Sequence, residues 1–241
     1  MNKILHIILI SLFSLTVISC AKKSSSDKDT SSTCTATDDD TTTTSYSGKF
    51  VAVGDNGTIA TSYSLTLNNL TSKNLWEITY GNNNLVTVGN SGTILTSTDD
   101  GTTWDNKTSG TTKGLRGITY ANSTFVTVGG SGTILTSSNG TSWNSRTSGT
   151  TKNLWKVIYG NSTFVAVGNS GTIITSTDGT SWDNRTSGTS KNFKGLTYGN
   201  STFVTVGQSG YILTSSNGTS WNNKTSGTSN FLYGVTYGND Y

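Results

Sequence analysis

The chain of 241 residues contains no proline, one histidine and one methionine, and only 12% of its residues are charged. The formal net charge is +3, which provides no electrostatic basis for binding nucleic acid. The single histidine, His6, lies in an apolar run near the N-terminus. If that run is removed from the mature protein, histidine-based acid–base catalysis and histidine-ligated metal sites are excluded.

Hydrophobic residues are also scarce, at 31% of the chain. Disordered chains of low hydrophobicity usually carry a high net charge, whereas this chain takes its polarity from threonine, serine, asparagine and glycine. Threonine favours pleated strands, and glycine and asparagine favour turns. The composition therefore predicts an all-β protein with many tight turns.

The N-terminus has the pattern of an export signal. Lys3 precedes an apolar run, residues 4–18, that is too short to span a membrane comfortably. The run ends in Val17-Ile18-Ser19-Cys20, which resembles the lipobox of bacterial lipoproteins. The resemblance implies a signal peptide over residues 1–19 and a lipid, such as palmitate, on Cys20; an ordinary secretory signal is the alternative. We therefore expect a lipoprotein of the bacterial cell envelope, anchored in the outer membrane on its periplasmic or surface face.

The segment after the signal is rich in serine and threonine and contains almost nothing to bury. We predict that residues 20–47 form the lipidated cysteine and a flexible tether. Lipidation of Cys20 leaves Cys34 as the one remaining cysteine, so no intramolecular disulfide can form. The folded part, residues 48–241, must then be stabilised by packing and strand pairing.

From Phe50 onward the chain repeats itself. Four tryptophans recur at a spacing of 39 residues, namely Trp104, Trp143, Trp182 and Trp221. Each unit holds a segment such as LWEITY (75–80), then one such as LVTVG (85–89), then one such as TILTS (93–97), and a last segment near the tryptophan. Short β-branched or aromatic segments bounded by Gly, Asn or Ser indicate strands. Four such strands in a unit of about 40 residues are typical of a β-propeller blade.

The two ends of the repeat region are complementary. The region starts at a second segment (Phe50) and stops after a first segment (Tyr237), and both segment types occur five times. We predict a five-bladed β-propeller of four-stranded antiparallel blades, whose closing blade combines residues 48–71 with residues 232–237. Such a join removes exposed sheet edges. The alternative is an incomplete part of a larger ring.

The segments LWEITYGN, FVAVGNSGTI and STDGTSW together resemble the BNR or Asp-box repeats of bacterial propellers, which are grouped with sialidases and photosystem II assembly factor-like proteins. The resemblance covers residues 48–241 and implies a fold rather than an activity. The four box residues are expected to lock turns, and the resemblance implies that they lie on the face away from a functional site. They are Asp99, Asn139, Asp178 and Asn217.

The residues predict that the protein is not an enzyme and binds neither a cofactor nor a metal. Glu77 is the only glutamate, whereas glycosidases normally need a pair of carboxylates at a defined separation. Sialidases use an arginine triad, but Arg146 and Arg185 occupy equivalent repeat positions, three residues after a box tryptophan. A sialidase-like glycoside hydrolase is therefore an alternative that the residues disfavour.

Candidate ligand-binding residues are those that vary between repeats. The second residue of the first strand reads Trp76, Arg116, Trp155, Lys194 and Tyr233. Two residues before four of these strands stand Lys73, Lys113, Lys152 and Lys191. By the topology of the family that the chain resembles, these positions surround a channel mouth opposite the Asp boxes. Aromatic rings and cations there suit a glycan or a protein with anionic groups; alternatively, they only cap the channel and form a solvated rim.

These observations lead to two hypotheses of function. In the first, the protein is a non-catalytic envelope lipoprotein whose propeller binds a glycan or protein partner at the channel mouth. In the second, it is an assembly or scaffold platform that contacts its partner through the blade rim. The expected partners are the membrane, through the lipid on Cys20, and a carbohydrate or protein, but no nucleic acid.

Overall fold

The structure is a computed structural model, and it describes residues 50–61, 64–69 and 71–238. The predictions of a signal peptide over residues 1–19, of lipidation at Cys20 and of a tether over residues 20–47 lie outside the described residues. Within the described ranges, no helix is long and apolar enough to cross a lipid bilayer.

The strands form five antiparallel sheets in chain order, called blades 1 to 5 here. Blade 1 holds β1 (Val51–Val53), β2 (Thr58–Thr61) and β3 (Ser64–Asn69). Blade 2 holds β4 (Leu75–Gly81), β5 (Asn84–Gly89), β6 (Ile94–Ser97) and β7 (Asp105–Lys107). Blade 3 holds β8 (Leu115–Ala121), β9 (Thr124–Gly129), β10 (Ile134–Ser137) and β11 (Asn144–Arg146). Blade 4 holds β12 (Leu154–Gly160), β13 (Thr163–Gly168), β14 (Ile173–Ser176) and β15 (Asp183–Arg185). Blade 5 holds β16 (Phe193–Gly199), β17 (Thr202–Gly207), β18 (Ile212–Ser215) and β19 (Asn222–Lys224).

The blades have a common inner and outer side. The first strands of blades 2 to 5 are innermost, because β4, β8, β12 and β16 pack against one another in that order. The fourth strands lie on the outside, where most of their residues are exposed. The chain therefore has a β-propeller fold built from antiparallel blades, as its repeats predict.

Tight turns join the strands within each blade. Between β4 and β5, Asn82 and Asn83 both have positive φ angles, of 46° and 59°. Between β5 and β6, the one-turn 3-10 helix Asn90–Gly92 is closed by a hydrogen bond from Thr93 N–H to Asn90 O (3.0 Å). The equivalent 3-10 helices are Asp55–Gly57, Gly130–Gly132, Asn169–Gly171 and Gln208–Gly210. Two-residue turns with positive φ match the twist of antiparallel strands, which explains why asparagine, serine and glycine recur there.

The hydrophobic core lies between blades rather than within them. Between blades 3 and 4, for example, Val126 and Ile134 pack with Leu154 and Phe164. Each of the four buried clusters joins two neighbouring blades in this way, and each is contacted by one box tryptophan. Because a blade buries its faces only against its neighbours, the blades must stack to be stable.

The Asp boxes lock the connections between third and fourth strands. In blade 4, Asp178 Oδ1 accepts hydrogen bonds from Ser176 Oγ (2.9 Å) and from Thr180 N–H (2.8 Å). The indole of Trp182 donates to Gly179 O (2.9 Å). Hydrogen bonds to the Asp178 carboxylate, first from the Thr180 hydroxyl and then from the N–H groups of Ser181 and Thr180, hold the pKa of Asp178 well below its usual range. The box residue thus closes a turn, as its sequence context predicts.

The boxes also join neighbouring blades. The carbonyl of Gly140, in the box of blade 3, accepts a hydrogen bond from Thr96 Oγ1 of blade 2 (2.7 Å). The adjacent Asn139 carbonyl accepts one from Asn84 Nδ2 of blade 2 (2.8 Å). The box end of each blade is therefore part of the packing between blades.

The predicted closing blade is not formed. Blade 1 has three strands with β1 at its edge, and residues 231–238 form no strand. Leu232 N–H instead donates to Gly207 O (2.9 Å), and the Tyr237 ring packs on Gly199, so this segment lies beside β16. The segment is held by its neighbour along the chain, blade 5, while β1 pairs with β2 alone among the described strands. The prediction that residues 232–237 complete a blade with residues 48–71 is therefore wrong for this structure.

Candidate binding site on the inner strands

Each inner strand of blades 2 to 5 begins with a β-bulge that sets one side chain apart. The pairing of β4 with β5 shifts between Leu75 and Glu77, which leaves Trp76 as the extra residue. The same shift leaves Arg116, Trp155 and Lys194 as the extra residues of β8, β12 and β16. A bulge re-aims the extra side chain relative to the regular alternation of the strand. One repeated backbone irregularity thus presents four of the residues that vary between repeats.

These four side chains form a row of alternating aromatic and cationic groups, called the inner row here. Arg116 Cζ lies 4.6 Å from the ring centroid of Trp76 and 4.0 Å from that of Trp155. Lys194 Nζ lies 2.9 Å from the ring centroid of Trp155. These distances are those of cation–π contacts. All four side chains are half-buried, so each keeps part of its surface in contact with solvent.

The inner row lies at the end of the blades opposite the Asp boxes. Leu75, beside Trp76, pairs with Gly89 at the end of β5. Leu85, near the start of β5, pairs with Ser97, the first residue of a box. The strand register therefore separates the row from the boxes by the length of a strand, in agreement with the sequence prediction.

The two cations of the row have no carboxylate partner among the described residues. The ion pairs in this part of the chain join Lys107 to Asp105, Lys156 to Glu77 and Arg185 to Asp183. Burial lowers the pKa of Arg116. Burial and, second, the charge of Arg116 lower the pKa of Lys194. The Nε of Arg116 is buried and makes no hydrogen bond within the described ranges.

An ion pair that the sequence analysis did not predict links blades 2 and 4 across blade 3. The Glu77 carboxylate pairs with the Lys156 ammonium, and its other oxygen accepts a hydrogen bond from Ile118 N–H (3.2 Å). Burial raises the pKa of Glu77, and Lys156 opposes that rise. Gly117, the equivalent residue of β8, allows the close approach, because a Cβ there would lie 3.1 Å from Lys156 Cα. The single glutamate is thus neutralised by a lysine rather than by a cation of the inner row.

Neighbouring residues orient the two indoles. Trp155 Nε1 donates a hydrogen bond to Asn169 Oδ1 in the turn after β13 (2.6 Å). The Trp76 ring packs on Gly114, where a Cβ would lie 2.8 Å from a ring carbon. Asparagine stands at the equivalent position in blades 2, 4 and 5, as Asn74, Asn153 and Asn192. Gly114 therefore departs from the repeat where the Trp76 ring needs space.

The other predicted site residues lie outside the inner row. Tyr233 is 69% exposed and stacks on Phe231, with 4.6 Å between ring centroids. Lys73, Lys113 and Lys152 are exposed and Lys191 is half-buried. Their backbone N–H groups donate to the hydroxyl of a threonine two residues earlier, which fixes the loop before each inner strand. None of the cation–π contacts of the described residues includes these lysines.

Alternate blades share residues that neighbouring blades lack. The inner strands begin LWE and LWK in blades 2 and 4, but LRG and FKG in blades 3 and 5. The box residue alternates in the same way, with aspartate in blades 2 and 4 and asparagine in blades 3 and 5. A repeat of two blades therefore underlies both the inner row and the ion pair that passes Gly117. Comparing each blade with the next but one would have shown this alternation in the sequence.

Comparisons with known proteins bear on the fold. No protein-family model matches the chain, and no curated protein sequence is significantly similar to it. Two similar solved structures are of YCF48. One, bound to D1 peptide, is 20% identical with a TM-score of 0.54, and the match covers 66% of this chain and 56% of that one. The other, from Cyanidioschyzon merolae, is 17% identical with a TM-score of 0.54, and the match covers 68% of this chain and 60% of that one.

Two further similar structures have other origins. The computationally designed Ika8 protein is 13% identical with a TM-score of 0.65, and the match covers 79% of this chain and 63% of that one. A GH74 enzyme from Niastella koreensis is 22% identical with a TM-score of 0.54, and the match covers 73% and 28%. This chain spans less than two thirds of each of these proteins. At such identities the likeness shows the β-propeller fold alone.

Proposed function

We propose that the protein is a non-catalytic binding protein whose propeller binds a partner at the inner row. The observation that carries the proposal is that Arg116 and Lys194 are held against indole rings while no carboxylate of the described residues neutralises them. Partly buried charges without a partner are costly, and perturbed titratable groups cluster at functional sites. Aromatic and cationic groups of this kind bind glycans or protein segments.

The similar propellers support a protein partner at the level of analogy. One of the similar structures is that of YCF48 bound to a D1 peptide. This shows that a related fold can hold a peptide, and the proposal extends that ability to this chain.

We further propose that the protein is an envelope lipoprotein of the Asp-box propeller type. The support lies in the sequence, in the lipobox-like residues 17–20, the serine- and threonine-rich residues 21–47 and the four boxes. In this proposal a lipid on Cys20 holds the propeller at the outer membrane. Mass spectrometry of the mature N-terminus should detect lipid on Cys20, and Cys20→Ser should release the protein from membranes. An unmodified N-terminus produced by cleavage elsewhere would contradict this part of the proposal.

The binding proposal is tested by changing Trp76 and Trp155 to alanine in the full chain. We expect signals on peptide and glycan arrays to fall by about tenfold or more, because both indoles orient the cations. The melting temperature should change little by comparison, since both side chains are only half-buried. The matched control changes the rim lysines Lys73 and Lys152 to glutamine.

The control separates the two binding modes. If binding survives the tryptophan changes and is lost with the lysine changes, the partner contacts the blade rim and the scaffold hypothesis replaces this one. A fluorogenic sialoside tests the hydrolase alternative, and we expect no turnover. Turnover that disappears in Glu77→Gln would make the protein an enzyme.

A further inference from the structure

We propose that the ligand of the inner row is an acidic peptide segment, with neighbouring carboxylates bound by Arg116 and Lys194. This inference rests on the proposed function and names the chemistry of its ligand. It concerns residues on three neighbouring inner strands, β8, β12 and β16, so the bound segment would cross the strands at the row.

The two cations of the row lie over the faces of the indoles. Trp155 is contacted by both cations, Arg116 at 4.0 Å and Lys194 at 2.9 Å from its ring centroid, and Trp76 is contacted by Arg116 at 4.6 Å. A sugar ring binds an indole by stacking on its face. Because the cations already occupy indole faces in the row, stacking of a neutral glycan would have to displace them. The indoles therefore act as supports for the cations rather than as platforms for a sugar.

The inner strands do not themselves neutralise the positive charge of the row. Glu77 is the one acidic residue in the inner strands of blades 2 to 5. It is paired with Lys156 and with the N–H of Ile118. The row therefore keeps the two positive charges of Arg116 and Lys194, and an anionic ligand would neutralise them. An ionised ligand group also recovers the cost of holding these charges partly out of water.

The two cations of the row lie close together but differ in shape. Arg116 Cζ and Lys194 Nζ contact the same ring, so they cannot be farther apart than the sum of their two distances from its centroid. Carboxylates on nearby residues of an acidic peptide can reach both groups. The guanidinium is a planar fork that binds a carboxylate through two N–H groups, whereas the ammonium acts as a compact charge. Arg116 is thus expected to contribute more than Lys194.

The experiment measures peptide binding to the full chain in detergent by fluorescence anisotropy. The probe is a short labelled peptide of consecutive glutamates, and its control is the same peptide with glutamines. A sulfated oligosaccharide and its unsulfated form make a second pair of probes. The variants are Arg116→Gln and Lys194→Gln, with Lys113→Gln and Lys152→Gln as controls that remove the same charge from the exposed rim.

We expect the glutamate peptide to bind and the glutamine peptide not to bind at the same concentration. Arg116→Gln should weaken binding about tenfold or more and Lys194→Gln by a smaller factor, while each rim control changes it less than about twofold. Arg116→Lys should recover only part of the loss, because it restores the charge but not the fork. Added salt should weaken binding of the glutamate peptide.

The outcomes separate this inference from the proposed function. If rim controls weaken binding as much as Arg116→Gln, the attraction is general to the surface and the inference is overturned. If only the oligosaccharide probes bind, and Trp76→Ala and Trp155→Ala abolish that binding, the inner row is a site but its ligand is a glycan. If no change in the row affects any probe, the proposed function fails together with the inference.

Discussion

The two ends of each blade follow one backbone plan but differ in how much their residues vary. At the box end, serine, aspartate or asparagine, glycine and tryptophan recur in blades 2 to 5, and their hydrogen bonds recur with them. At the other end, one bulged position holds tryptophan, arginine, tryptophan and lysine in turn. Repetition therefore marks the residues that pack the blades. Variation at a fixed backbone position marks the surface where we propose that a ligand binds.

Among the changes considered, a substitution of Lys156 should have the largest effect on the free energy of unfolding. It tests the comparison directly, because it asks whether a residue at the variable end also stabilises the fold. Lys156 lies at the variable end, yet it pairs with Glu77, whose side chain is only 18% exposed. Lys156→Met leaves that carboxylate without its partner, and we expect the free energy of unfolding to fall by about 1–3 kcal/mol. The loss is smaller than for a fully buried pair because the Lys156 side chain is 34% exposed. Denaturation in guanidinium chloride measures this fall in the free energy of unfolding.

The control for this prediction is the double variant Glu77→Gln with Lys156→Met. Removing both charges should recover much of the stability, because no uncompensated carboxylate remains. A double variant less stable than Lys156→Met would show that the pair stabilises the blades by packing rather than by charge.

The Asp boxes, at the end of each blade where the residues repeat, allow a second test with a smaller, pH-dependent effect. Hydrogen bonds from Thr103, through its hydroxyl and then its N–H, lower the pKa of Asp99 from 3.8 to about 2. A carboxyl whose pKa is lower in the folded state adds stability above its ordinary pKa, and this stability is lost as pH falls through the folded value. We therefore expect stability to fall between pH of about 4 and 2. In Asp99→Asn with Asp178→Asn, which copies blades 3 and 5, the fall should be shallower.

Chemical denaturation at a series of pH values checks this expectation. The reverse change, Asn139→Asp, is the matched control, since Asn139 Oδ1 already accepts a hydrogen bond from Thr141 N–H (2.9 Å). It should make the loss of stability in acid steeper. Identical pH profiles for all these proteins would mean that the box carboxylates make no difference to folding.

Gly114→Asn should have the smallest effect on stability and a clear effect on the site. Asparagine at this position accepts a hydrogen bond from a turn N–H of the preceding blade, as Asn153 does from Ser131 N–H (2.9 Å). The new side chain would gain such a bond, worth about 1 kcal/mol, but would displace the Trp76 ring from its place on Gly114. We expect a net change below about 1 kcal/mol, a shift in tryptophan emission and weaker peptide binding.

Asn74→Gly is the control for this change. It removes the equivalent hydrogen bond donated by Asn56 N–H (3.0 Å), which joins Asn74 to blade 1, where no indole of the inner row lies. It should lower stability slightly and leave the emission spectrum as it is. If Gly114→Asn binds the acidic peptide as tightly as the unchanged protein, the position of Trp76 does not matter for the row.

Much of the fold could be predicted because it depends on local chemistry. Turn residues such as Asn82 and Ser91 tolerate positive φ, and the segments between the turns are rich in β-branched and aromatic residues, as strands are. The repeat spacing then determines the order of the blades. The closing blade could not be predicted in this way, because the sequence of residues 232–237 indicates a type of strand but not the partner to which it is joined.

The candidate site could be predicted only in part. Variation between repeats identified Trp76, Arg116, Trp155 and Lys194 as a set. Their contacts depend on the bulges and on the distance between inner strands, which no single repeat encodes. The ion pair of Glu77 with Lys156 joins residues two blades apart, so a comparison of neighbouring repeats did not predict it.

The alternation of blades also limits how such a chain can grow. Inserting one extra blade would place two cations or two indoles side by side in the inner row. Two neighbouring cations would repel each other. The insertion would also separate the carboxylate of Glu77 from the ammonium that it needs. Inserting two blades together preserves every contact of the row. The natural unit of duplication, and of engineering by extension, is therefore the pair of blades and not the single repeat that the tryptophan spacing displays.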